Sequence, residues 1–132
     1  MKEDPEQRER TDRIIEAIRR EYGFVPVVNQ VLSTRPDLFL PLSAASRAVL
    51  EGDGDLDRKQ RYLCAISAAT AVGGEYCIDV QTRHAIAAGA TKDEVLEAML
   101  IGSHMAMTRS QSYALRKYAE NFGIELEPID EK

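Results

Sequence analysis

Apolar positions along this chain recur at helical spacing, and residues that start or stop helices separate the stretches. Asp4-Pro5 reads as a helix start, an N-cap carboxylate followed by a proline whose missing N–H costs nothing there. Ile14, Ile18 and Tyr22, with Ile15 and Ala17 beside them, form one apolar stripe, which Gly23 closes. Pro26 keeps Val25 extended, and Val27 to Ser33 predicts a short second helix. Thr34-Arg35-Pro36-Asp37 opens a third, carrying Leu38, Phe39, Leu42, Ala45, Val49 and Leu50 to the Gly52-Asp53-Gly54 loop.

Asp57 with Gln60 three residues later has the form of a capping box and starts a fourth helix. From Leu63 to Val72 that helix is apolar or small nearly all round, which suits the centre of a domain or a subunit contact. Gly73-Gly74 breaks it and turns the chain into a fifth helix, for which Gly89 supplies the residue after the C-cap. Thr91 and Glu94 predict a second capping box, stapled by Ala90 and Val95. Val95, Leu96, Met99, Leu100 and Met105 are the expected core side of the sixth helix. Thr108 or Ser110 would cap a seventh, burying Tyr113, Ala114, Leu115, Tyr118 and Phe122 before Gly123. The acidic tail, residues 124–132, contains Pro128 and is expected to be irregular. No strand-like alternation of useful length occurs, so the expected fold is all-α with about seven helices.

Composition narrows the function classes. With 132 residues the chain is read as one domain, residues 1–132, able to bury a core without metal or disulfide support. Its net charge of −5 disfavours a nucleic-acid partner. Arg8, Arg10, Arg13, Arg19 and Arg20 are interleaved with acids, the pattern of a solvated, salt-bridged helix face. The first residues lack the apolar segment of a secretory signal, and no run approaches a membrane span, so a cytoplasmic location is expected. Two cysteines there would be free thiols. Cys64, Cys77, His84 and His104 have no metal-site spacing, so no metal or other cofactor is expected.

The chemistry concentrates in residues 73–91. Cys77 falls in the first turn of the fifth helix, where unpaired N–H groups and the macrodipole favour a thiolate. Gln81 and His84 return to roughly the same face. His84 is about 10 Å along the axis from Cys77, beyond hydrogen-bond reach, and is read as an exposed or core-satisfied histidine. Cys64, about 200° round the fourth helix from Tyr62, is read as core packing. His104, near Met105 and Met107, has no required role.

This stretch resembles the signature of the AhpD-like (alkyl hydroperoxidase D) and carboxymuconolactone decarboxylase superfamily, C-x-Y-C-x-x-x-H-T-x-x-A-x-x-x-G-A-T. The matching positions are Gly74, Tyr76, Cys77, Gln81, Thr82, Ala85, Gly89, Ala90 and Thr91, and Arg61-Tyr62-Leu63 lines up with the family's R-E-L. The resemblance implies a family core over residues 56–123, preceded by N-terminal helices in 1–55, and self-assembly as a trimer or hexamer. The family's redox centre uses a glutamate, two cysteines and a histidine, and here those places hold Tyr62, Gly74, Cys77 and Gln81. Cys77 is then the candidate thiolate, with Tyr62 and Gln81 as hydrogen-bond partners. An amide does not titrate near neutral pH, and an unperturbed tyrosine does so only near about 10. The resemblance therefore implies one of three functions. They are a single-cysteine thiol-dependent peroxidase, a non-redox small-molecule-binding or vestigial site, or a lactone decarboxylase-type lyase with Arg83 and Arg109 as candidates for holding an acid.

Overall fold

In a computed structural model describing residues 4–128, the chain forms six helices and, among the described residues, no strand. They are α1 (Pro5–Tyr22), α2 (Val27–Leu32), α3 (Pro36–Glu51), α4 (Arg58–Val72), α5 (Glu75–Ala87) and α6 (Lys92–Phe122). Residues 124–128 are irregular as expected, whereas residues 129–132 of the tail lie outside the described residues.

The caps form as the sequence reads. Asp57 accepts from the Gln60 N–H while the Gln60 side chain accepts from the Asp57 N–H, and Thr91 and Glu94 repeat the arrangement at α6. Lys59 reaches across to Glu94 at 2.8 Å, pinning the start of α4 to the start of α6. That hydrogen bond holds the Glu94 carboxyl below the usual carboxylate range. Along α1 the charges pair as Arg8–Asp12, Arg13–Glu9 and Arg19–Glu16, a solvated ion-pair face.

α4 is the central element, packed between α5 and α6. The core joins Tyr62 and Ile66 of α4 with Ala85 of α5 and Val95 and Ala98 of α6; Leu50, Leu63, Ala88, Ala90 and Met99 pack around them. α3 lies against α4, and α1 and α2 lie against α3. At Gly102 the α6 backbone comes so close to α4 that a Cβ there would run into the Ser67 carbonyl oxygen.

Three expectations change. The sixth and seventh helices are one helix of 31 residues. Thr108 caps nothing; its hydroxyl donates back to the Met105 carbonyl one turn earlier, which leaves the helix ladder uninterrupted. Second, Leu96, Leu100, Met105, Tyr113, Ala114, Leu115, Tyr118 and Phe122 are exposed rather than buried. α4 and α5 have 15 and 13 residues, so α6 runs beyond the hairpin that could cover it. Third, Cys64 is exposed, not core packing, because only the face of α4 bearing Tyr62, Ile66 and Ala69 turns inward.

Candidate functional site

Gly73 adopts a left-handed conformation with φ of 76°, which a side chain would strain, and the chain reverses there between α4 and α5. The N–H groups of Gly73 and Gly74 return to the carbonyls of Thr70 and Ala69, closing α4. Gly74 is the N-cap of α5 and offers no side chain to its first turn. Cys77 is the third residue of that helix, exposed and in no disulfide, at the end where the backbone dipoles leave partial positive charge. The Tyr76 ring beside it packs 6.2 Å from that of Phe24.

The other two candidate residues do not join Cys77 through any hydrogen bond among the described residues. Gln81 is half-buried, and its side-chain oxygen is buried with no partner. Tyr62 has 4% of its surface exposed, and its ring centre lies 4.9 Å from that of His84. The reason is the antiparallel hairpin: residues equidistant from Gly73-Gly74 come opposite each other. Tyr62 is eleven residues before Gly73, and His84 is ten after Gly74.

His84 is the hub of a second cluster. Its Nε2 lies 2.9 Å from the Glu21 carboxylate and 3.0 Å from the Tyr22 hydroxyl, both in the last turn of α1. A carboxylate oxygen can only accept, so Nε2 carries a proton and donates it to Glu21. The Tyr22 oxygen can share that proton as a second acceptor, which leaves its own O–H free to donate elsewhere. Nδ1 is buried without a partner. A cavity of about 170 Å³ opens beside this group, lined by Glu21, Glu51, Arg58, Tyr62, His84, Ala87 and Ala88.

Burial first, then the charge of Glu21, followed by Tyr62 and Glu51, push the Tyr22 phenol up to about 12. Tyr62 is raised as well, by burial first and by Glu51 next, with Arg58 opposing. Both phenols are therefore hydrogen-bonding groups, not bases, near neutral pH. The sign of the linkage follows. Between the unfolded value near 10 and the folded value of about 12, the unfolded chain releases a proton that folded Tyr22 retains. Tyr22 thus stabilises the fold below that window and loses its contribution as pH rises through it. Absorbance titration at 295 nm should show a tyrosine step near pH 12 that Tyr22→Phe removes; its persistence in the variant would assign the step elsewhere.

The remaining candidates are dispersed. Arg83 pairs with Asp79 at 3.0 Å and reaches the Tyr22 carbonyl, while Arg109 and His104 are exposed on α6. Arg58, not singled out from sequence, is the arginine that lines the cavity. Among the described residues no group of three or more His, Cys, Asp or Glu side chains could hold a metal ion. No helix there is long and apolar enough to cross a membrane.

With a helical hairpin carrying Cys77 at its turn and α6 across its back, comparison with known proteins is informative. Residues 36–120 match the model of the carboxymuconolactone decarboxylase family. The chain belongs to that family. The match takes in α3 as well as α4 to α6, so it begins twenty residues before the motif-based start at Leu56. A protein of Paracoccus denitrificans described as uncharacterized protein 4 in the cox locus is 29% identical over 83 residues, covering 63% of this chain and 71% of that protein. No solved structure matches.

Proposed function

We propose that this carboxymuconolactone decarboxylase family protein is AhpD-like in chemistry and reduces small peroxides through the single thiol of Cys77. The observation that carries the reading is an exposed cysteine in the first turn of α5 beside a glycine N-cap, so that helix end and solvent both reach the sulfur. The thiolate attacks the terminal peroxide oxygen, the O–O bond breaks, and the departing alkoxide takes a proton from water. Cys77 is left as a sulfenic acid. Gly74 holds no second sulfur, so an external small-molecule thiol condenses with the sulfenic acid, releasing water. A second equivalent then cleaves the mixed disulfide and restores Cys77. With no titratable side chain among the described residues hydrogen-bonded to Cys77, turnover is slow.

Peroxide consumption with a dithiol reductant should fall to background in Cys77→Ser and persist in Cys64→Ala. The wild-type protein should gain one dimedone adduct at residue 77. Consumption unchanged in Cys77→Ser would sink the thiol reading and leave a lyase-type reaction as the reading to test.

We also infer that the protein assembles with copies of itself. The outward faces of α4 and α6 support this, since Val72, Met105, Tyr113, Leu115, Tyr118 and Phe122 are exposed at 53% or more of their surfaces. Light scattering should give a mass that is a multiple of 14.7 kDa; a monomer mass at micromolar concentration would refute it.

A further inference from the structure

α6 carries a second apolar face, away from the one it packs on α4. Val95, Ala98 and Gly102 are its buried residues. Leu100, two residues before Gly102, lies about 200° round the helix from it. Leu96, Leu100, Met107, Ala114 and Tyr118 recur at multiples of three and four residues, which keeps them on one side. All five are exposed. The Phe122 ring extends the stripe by one turn, its centre 4.6 Å from that of Tyr118.

Length takes part of this helix beyond the reach of its neighbour. Lys59 pairs with Glu94, and Ser67 lies against Gly102, an offset of 35 residues in both cases. The same offset brings Val72, the last residue of α4, level with Met107. Past that level, every residue from 109 to 118 is exposed.

Met107 is also the middle residue of α6, which runs from Lys92 to Phe122. The stripe is symmetric about it. Leu100 and Ala114 lie seven residues to either side, and Leu96 and Tyr118 eleven. Such a face matches itself when a second copy is turned end for end, as an isologous two-fold contact requires. The charges favour the same orientation. Residues 92–106 hold Lys92 against Asp93, Glu94 and Glu97, whereas residues 107–122 hold Arg109, Arg116 and Lys117 against Glu120. End-for-end pairing sets the acidic half of each helix beside the basic half of the other and opposes the two macrodipoles; parallel pairing sets like beside like. The pairs within one chain, Lys59–Glu94 and Lys117–Glu120, leave both signs as they are.

We propose that this face is covered by a second copy of the chain, α6 lying antiparallel on α6 with a two-fold axis at Met107. This rests on the self-assembly reading above and adds to it the surface, the direction and an even number of copies. The two polar members of the stripe fall opposite each other in this register, since Ser103 and Gln111 are each four residues from Met107. The Ser103 hydroxyl donates to the Leu100 carbonyl, so its oxygen can accept from the partner's Gln111.

The test is cross-linking of the full-length protein with a short bis-maleimide, in a Cys64→Ala/Cys77→Ser background given one new thiol at a time. Met107→Cys should join into a covalent dimer. Leu100→Cys should not join to itself, because its two thiols would lie about 21 Å apart along the axis. It should join to Ala114→Cys once the two proteins have exchanged subunits, while Glu120→Cys, off the stripe, should not join to itself. Met107→Glu puts two carboxylates at the axis and should halve the mass that light scattering gives the wild type, with circular dichroism confirming the fold. No joining at Met107→Cys, joining of Leu100→Cys or Glu120→Cys to itself, or an unchanged mass in folded Met107→Glu would overturn the proposal. If the wild-type mass is still a multiple of the chain's, self-assembly stands and only this surface is wrong; a monomer mass removes both.

Discussion

Gly102→Ala is expected to destabilise the protein by about 2 kcal/mol or more, although alanine is the better helix former by about 1 kcal/mol. The added Cβ would run into the Ser67 carbonyl oxygen and lie 2.9 Å from its carbonyl carbon, well inside contact distance. Both atoms belong to the α4 backbone, so no rotamer change relieves the clash. α6 must move away from α4, and Ile66, Val95 and Ala98 lose contact in the core that joins the two helices. Urea unfolding followed at 222 nm should show a lowered midpoint with the slope retained. Ser67→Gly should not rescue it, because the obstructing atoms are main chain. A midpoint equal to or above wild type would mean that the two helices are less closely packed than this geometry requires.

Gly74→Cys is expected to install a redox-active disulfide. A Cβ built on Gly74 lies 3.4 Å from the Cys77 Cβ, just under the roughly 3.5–4.5 Å spanned by disulfide-linked residues, a gap of about a tenth of an ångström that a small shift closes. The backbone at Gly74 has φ of −80°, which any residue adopts, and the next neighbours, in Ala69, are at 3.7 Å. The new thiol should attack a sulfenic acid at Cys77 faster than an external thiol, because it is already adjacent. Mass spectrometry after one equivalent of peroxide should find a loss of two hydrogens linking residues 74 and 77. Dimedone labelling of Cys77 should drop by tenfold or more. Continued dimedone labelling with no 74–77 link would show that the two side chains diverge.

Much of the fold was legible because helix ends are local. The Asp57–Gln60 and Thr91–Glu94 boxes and the Gly73-Gly74 break each depend on residues within one turn, and each formed where the side-chain chemistry put it. The continuous α6 was not legible, since a threonine that caps a helix and one that bonds back into it look the same in sequence. Position 77 at a helix start was also readable, from the glycines before it. The partner of Tyr62 was readable in principle, by counting outward from the hairpin turn to His84, but family alignment drew it toward Cys77 instead. Glu21, Tyr22, Glu51 and Arg58 carried no such signal: they lie on α1, α3 and α4, and nothing local says these helix ends converge.

The amino-acid sequence by itself determined the all-helical architecture, the caps, the family and the placement of one cysteine at the start of α5, because propensity and capping act over a few residues. Only the tertiary structure decided that Tyr62 meets His84 rather than a thiol, that α6 outruns its neighbours, and that residues from four helix ends line one cavity. Those features depend on distances between residues up to 63 positions apart, which packing sets and no local pattern encodes.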